Sequence, residues 1–310
     1  MFHKEKVMHN HDRHHHAEAV LTDDGRLASV FYWAIGLNMA YVILEAAFGF
    51  TTGSMGLLSD AGHNLTDVAT LLIALLAYLA SKRPATTVYS YGLGKTTVEA
   101  SLVNAVILYV AVIFIAVESV RRLLHPSPVD GTDIAWVAGI GVVVNGVTAW
   151  LLMRHSHHDL NVKGAFLHMA ADTLVSVGVV VSGIVITHTG WTWLDPVVGI
   201  CIAALIAIGS WSLLRDSLRM SLDGVPAGVD IPALEAAILS VPEVKSMHHL
   251  HVWALSTTRT ALTVHVIVES PDLIDKAISD VRDKIHACGI SHTTIEAETS
   301  EHSCGESGLD

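Results

Sequence analysis

Apolar positions along the chain gather into six long runs, at roughly 28–49, 56–80, 98–120, 133–153, 164–187 and 195–214. Each has about the 20 residues that a helix needs to cross a bilayer. Backbone in lipid must satisfy its own hydrogen bonds, so helices are the expected form. Gly and other small residues recur within the runs, as close helix contacts require. Ahead of them, residues 1–27 are polar and low in complexity, with His14-His15-His16 at their centre, and predict a disordered arm. They lack the basic-then-apolar order of a cleavable signal segment.

The pattern changes after Asp223-Gly224. Residues 230–239 predict a short helix capped by Asp230, with Pro232 in its first turn. Residues 244–254 and 259–269 alternate as strands, and 293–298 form a last short one. Between them, 270–288 predict an amphipathic helix ending at Gly289. The order α-β-β-α-β predicts a two-layer α+β domain. The expected architecture is therefore an α-helical membrane protein of six transmembrane helices with a C-terminal α+β domain. Its parts are the arm 1–27, the bundle 28–215, the domain 216–300 and a flexible tail 301–310.

Composition agrees with this division. The chain is 51% hydrophobic and only 15% charged, against about 25% charged in an ordinary soluble protein. Its net charge of −12 argues against nucleic acid as a partner. From Asp223 onward there are 14 acidic and five basic residues, which marks the tail domain as a separate, soluble piece. Cys201, Cys288 and Cys304 form no C-x-x-C pair and predict no disulfide framework.

Orientation follows from Lys and Arg in the short connections. Lys4, Lys6, Arg13 and Arg26 precede the first span. Lys82, Arg83 and Lys95 follow the second, Arg154 and Lys163 the fourth, and Arg215 and Arg219 the sixth. The opposite side has only Arg121 and Arg122. Both termini are expected in the cytoplasm, with the chain integral to a bacterial inner membrane.

Ionisable side chains within such spans are costly and mark function. His63 and Asp67 lie four apart in the second run, and His168 and Asp172 four apart in the fifth. Residues i and i+4 share a helix face. Each pair offers one imidazole nitrogen and one carboxylate oxygen, and two such helices side by side supply a tetrahedral N2O2 set suited to zinc. Cobalt and cadmium also accept these ligands. A single pair fits a structural hydrogen bond, but the repetition on two spans favours the metal. Asp60 fits a helix cap and an outer vestibule equally. Glu45 and Asn145 read as polar contacts inside the bundle. Because His must be neutral to bind metal, protons and metal compete, which predicts zinc–proton exchange.

A second group lies in the tail domain at His248-His249-Leu250-His251, followed by His265, His292, Glu296 and Glu298. On a regular strand His249 and His251 share one face and His248 takes the other. A zinc site between strands and a solvated His-rich sheet edge both fit. The arm histidines His3, His9, His11 and His14–His16, the loop set His155, His157 and His158, and the pair His302 and Cys304 fit either weak metal collection or plain solvation. His125, His188 and His286 read as surface residues.

Four segments together resemble the cation diffusion facilitator family in its zinc-transporting branch. They are Gly53-Ser54 through Leu58-Ser59-Asp60-Ala61-Gly62-His63-Asn64-Leu65-Thr66-Asp67, then Tyr91-Gly92-Leu93-Gly94-Lys95, His168-Met169-Ala170-Ala171-Asp172 and His248-His249-Leu250-His251-Val252-Trp253. The resemblance covers nearly all of the chain past residue 28. It implies six transmembrane helices, a cytosolic ferredoxin-like (metallochaperone-like) domain, a homodimer, and exchange of cytosolic zinc for protons. It implies a transport site of His63, Asp67, His168 and Asp172. It places cytosolic zinc ligands at His248, His265 and the stretch His292–Glu298, with His251 as a neighbour. Where some members carry an extra metal site between the second and third helices, residues 81–89 offer no Asp or His, and no metal is expected there. The cytosolic set also ends in Glu298 rather than His-x-Asp.

An intramembrane zinc hydrolase is the first competing function. It wants three ligands, an open water position and a general base. The chain has no H-E-x-x-H motif, and no enzyme is expected. The second is a membrane metal sensor that binds zinc without moving it, for which the tail cluster alone would suffice.

Overall fold

The computed structural model describes residues 12–52, 55–125, 132–191 and 193–299. His3, His9, His11, Gly53, Ser54, His302 and Cys304 lie outside the described residues, as do the side chains of His14, His15, His16, Asp60 and His63. Among the described residues, six long helices come first: α1 (Asp12–Thr52), α2 (Met55–Ser81), α3 (Thr96–Leu124), α4 (Thr132–Met153), α5 (Leu160–Thr189) and α6 (Leu194–Ser221). Among the described residues, four stretches are long and apolar enough to cross a membrane: Leu27–Phe48, Asn64–Ser81, Thr96–Leu124 and Pro196–Ser221. α4 contributes a shorter apolar stretch, Gly139–Met153.

Two boundaries differ from the sequence expectation. Helix α1 starts at Asp12, inside the expected arm, where Ala17, Glu18, Ala19 and Leu21 are strong helix formers. Helix α6 continues to Ser221, past the expected bundle boundary at 215. The break comes at Asp223, with a left-handed φ of 56°, where the sequence pattern also changes. A side chain at the following Gly224 would meet Arg219 backbone.

α5 lies at the centre of the bundle. Its Met169 packs with Phe31 of α1, Leu71 of α2 and Leu152 of α4, all fully buried. The neighbouring Ala171 joins a second cluster with Leu108 of α3 and Ile206 of α6. Trp33, Phe50, Phe114 and Ile208 point outward and exposed, as lipid-facing residues do. Lipid tails are as apolar as Leu, so close packing and interhelical hydrogen bonds hold such a bundle, each bond worth about 0.6–2 kcal/mol. Buried polar residues supply them. Asn161 of α5 donates to the Ala74 carbonyl of α2 at 2.9 Å. Ser101 of α3 and Ser217 of α6 share a bond of 2.7 Å. Asn38 of α1 donates to Thr148 of α4 at 2.8 Å.

The C-terminal domain comprises α7 (Ile231–Leu239), β1 (Val244–Ala254), β2 (Thr260–Val268), a 3-10 turn at Pro271–Leu273, α8 (Ile274–Ala287) and β3 (His292–Thr299). Asp230 caps α7, its side chain accepting from the Ala233 backbone N–H at 3.1 Å. The sheet order is β1-β2-β3, with β1 antiparallel to β2 and β3 parallel to β2 after the α8 crossover. Leu234 and Ile238 of α7 and Val281 and Ile285 of α8 pack on Leu262, Val264 and Val266 of the central strand. Both helices thus cover one face of the sheet, and the polar alternate residues point to the other.

The two parts meet at the segment joining α2 to α3. Lys95 Nζ donates to Asp223 Oδ1 and to the Met220 carbonyl, each at 2.6 Å, and to the Ala254 carbonyl at 3.3 Å. Gly92 takes a φ of 76° in the turn before it. A Cβ on Gly94 would stand 2.7 Å from the Leu255 carbonyl, so only glycine lets the β1–β2 hairpin settle there. At the hairpin tip, Thr257 donates from Oγ1 to Asp159 Oδ1 at 2.7 Å.

Candidate metal centre

Asp67 sits on α2 one turn after His63, and Asp172 on α5 one turn after His168, as the four-residue spacing requires. Asp67 is fully buried, His168 nearly so, and Asp172 half-buried. His168 Nε2 stands 2.9 Å from Asp67 Oδ1, which joins the two helices. The two atoms share one hydrogen, and the His168 tautomer sets which of them donates it. The other ring nitrogen, Nδ1, is buried and has no hydrogen-bond partner among the described residues.

Asp172 has a different neighbour. Its Oδ2 accepts from Nδ2 of Asn145 on α4. Glu45 of α1 is also buried, and its Oε2 accepts from Asn64 Nδ2 at 2.7 Å, beside His63 in sequence. Both Glu45 and Asn145 therefore make bundle contacts of the kind the sequence suggests. What the sequence leaves open is their partners, and Asn145 is found to bind one of the candidate ligands. A lone Asn in an apolar run carries no spacing signal that names its neighbour.

The second centre lies on the uncovered polar face of the sheet. Among the described residues, one group of three ligand side chains has all its ligand atoms within 4.8 Å of one another: His248, His265 and Glu298. His265 Nδ1 is 2.7 Å from Glu298 Oε1, and His248 Nε2 is 3.6 Å from the same oxygen. His248 stands opposite His265 across the β1–β2 ladder. Glu298 reaches them from β3, and its Oε2 is buried without a hydrogen-bond partner among the described residues. A buried carboxylate oxygen left in that state is costly, and a cation beside two imidazoles would satisfy it. Glu296 lies on the outer side of the same group, its Oε2 3.6 Å from His265 Nε2.

Strand β1 does not alternate as expected. His249 has a left-handed φ of 50°, and the register shifts between His248 and His251. This bulge inserts an extra residue and turns His248 to the same face as His249, correcting the alternation expected of them. Both rings then lie near His265, at centroid distances of 5.2 and 5.3 Å. His251 is placed opposite Thr263, outside the trio, 6.3 Å from the His249 ring. His292 is placed opposite Ala261 at the far end of β3 and packs edge-on against Tyr91 at 5.4 Å. His155 is half-buried in the turn after α4, with His157 and His158 exposed beside it.

The chain matches two family models in succession, the cation efflux transmembrane domain over residues 32–220 and the cation efflux protein cytoplasmic domain over residues 226–300. It is 37% identical to the zinc transporter ZitB of Shigella flexneri, over 92% of this chain and 91% of that protein. It is 36% identical to the metal cation efflux system protein CzcD of Cupriavidus metallidurans, over 86% and 84%. It is 32% identical to a cadmium, cobalt and zinc/H(+)-K(+) antiporter of Bacillus velezensis, over 84% and 85%. The helical bundle is thus the membrane-embedded part and the sheet domain the cytoplasmic part of one protein. The chain belongs to the cation diffusion facilitator family, alongside members named as zinc transporters.

Proposed function

We propose that this protein exports zinc from the cytoplasm across a bacterial inner membrane in exchange for protons, moving an ion rather than catalysing a reaction. His63, Asp67, His168 and Asp172 are the transport ligands, within a bundle whose six helices all cross the bilayer and whose termini both face the cytoplasm. The observation that carries this reading is the buried contact of 2.9 Å between His168 Nε2 and Asp67 Oδ1, which brings one residue of each spaced pair together across α2 and α5. The names of the relatives support zinc as the cargo, and that of the Bacillus relative supports proton-coupled exchange.

The chemistry follows from that contact. A His must be neutral to bind metal, so zinc competes with the proton that makes His168 an imidazolium. Zinc loading releases that proton on one side, and a proton arriving from the other side takes its place as zinc leaves. Each cycle thus moves zinc one way and protons the other. Imidazole nitrogens with carboxylate oxygens suit zinc, and they also admit cadmium and cobalt.

His248, His265 and Glu298 form a cytosolic zinc site on the exposed sheet face. The chain works as a homodimer through its cytoplasmic domain, a reading supported by the match of residues 226–300 to the cation efflux cytoplasmic domain. Zinc flux into vesicles tests transport against the sensor reading. A sensor binds zinc and carries none.

A further inference from the structure

We propose that Asn145 is a positioning residue that fixes how Asp172 meets the ion and thereby sets the preference for zinc over larger divalent cations; this rests on the transport-site reading above. Asn145 is 1% exposed, in the middle of α4, a helix that supplies none of the four transport ligands. Its Nδ2 donates to Asp172 Oδ2. Its Oδ1 is buried with no partner among the described residues. A buried amide with half its capacity unmet costs about 1–3 kcal/mol, so a purely structural Asn would be poorly placed here.

Helix α4 is held so that this contact keeps its geometry. One turn along, Thr148 accepts from Asn38 Nδ2 of α1 at 2.8 Å. One turn back, a Cβ on Gly141 would stand 3.1 Å from the Tyr41 hydroxyl, so α1 and α4 lie close together. On the other side, Gly146 faces Thr173 of α5, where a Cβ would be 3.6 Å from Thr173 Cγ2. The amide of Asn145 is therefore presented to α5 from a clamped helix.

The consequence is one of coordination number. A carboxylate can bind an ion through one oxygen or two. With Oδ2 engaged by Asn145, Asp172 coordinates through a single oxygen. Single-oxygen carboxylates keep the ligand count at four, which tetrahedral zinc favours. Cadmium is larger and gains from a second carboxylate oxygen. Loss of the Asn145 amide frees Oδ2, loosens the zinc geometry and removes the handicap against cadmium. Partners that orient a metal ligand typically govern metal affinity by about 10–100-fold.

The experiment uses the full chain in proteoliposomes, with initial rates of zinc and cadmium uptake measured across metal concentration for the wild type, Asn145→Leu, Asn145→Ala and Asn145→Ser. Leu keeps the volume without a donor, and Ser restores a shorter donor. We expect Asn145→Leu and Asn145→Ala to raise the apparent KM for zinc about tenfold, with maximal rate largely kept. The KM for cadmium should hold or fall, and Asn145→Ser should recover part of the zinc preference. If Leu misfolds, the Ala and Ser comparison decides. Equal changes for both metals, or none, would overturn the proposal, since lost packing does not distinguish ion size. Asp172→Ala, run alongside, separates the failures. Zinc uptake at the wild-type rate in that variant sinks the site reading itself, while abolished uptake with unchanged selectivity at Asn145 sinks only this inference.

Discussion

Lys95 Nζ lies 2.6 Å from Asp223 Oδ1, and this contact joins the start of α3 to the turn where α6 gives way to the cytoplasmic domain. The ion pair is partly exposed, and such pairs alone contribute about 0–1 kcal/mol. Lys95 also closes on two backbone carbonyls, Met220 and Ala254, which extends its reach into the β1 end. Lys95→Met is therefore expected to weaken docking modestly, and Gly94→Val to weaken it more, because a Cβ there strikes the Leu255 carbonyl. Hydrogen exchange at residues 220–224 and 254–259 should quicken in that order. Equal protection in the wild type and both variants would refute the docking role.

The cytosolic trio has its own signature. Zinc bound at a hundred times its Kd stabilises a protein by about 2.7 kcal/mol. Zinc should raise the melting temperature of the cytoplasmic domain in the full chain. Most of that shift should vanish in His265→Ala and Glu298→Ala. His292→Ala should keep it, since His292 faces Tyr91 rather than the trio. A shift lost in His292→Ala but kept in His265→Ala would reverse the assignment.

Lys276 donates to Glu243, pinning the first turn of α8 to the start of β1. This hydrogen bond, ahead of a backbone one, lowers the Glu243 carboxyl. The same bond to Glu243 raises Lys276. For the lowered carboxyl, the stabilisation is present above its unfolded value of about 4.3 and is lost as pH falls through the lower folded value. For the raised amine, it is present below about 10.4 and is lost as pH rises through the higher folded value. The pair is thus complete across neutral pH. Lys276→Met should lower the domain's melting temperature at pH 7 and flatten its decline below pH 4. Parallel pH curves for the wild type and Lys276→Met would contradict this.

Much of the architecture is legible in residue patterns. The strands and helices of the cytoplasmic domain carry period-two and amphipathic signals with an Asp230 cap, and the observed bounds follow them closely. The pairing of His168 with Asp67 is foreshadowed by two matching i, i+4 spacings. What escapes is set by tertiary geometry. The bulge at His249 has no local signal, because nothing in His248-His249 demands φ of 50°, yet it decides which rings face His265. Gly94 is unremarkable until the Leu255 carbonyl arrives from over a hundred and fifty residues away. Asn145 reads as a lone polar contact inside an apolar run, and only the packing of α4 on α5 gives it Asp172.

The central claim rests on Asp67 and Asp172. The most direct measurement is zinc uptake into proteoliposomes of the full chain, with and without an imposed pH gradient, for the wild type, Asp67→Ala and Asp172→Ala. The account predicts gradient-driven uptake in the wild type and its loss in both variants. Uptake that ignores the pH gradient would contradict proton exchange, and uptake preserved in both variants would contradict the site.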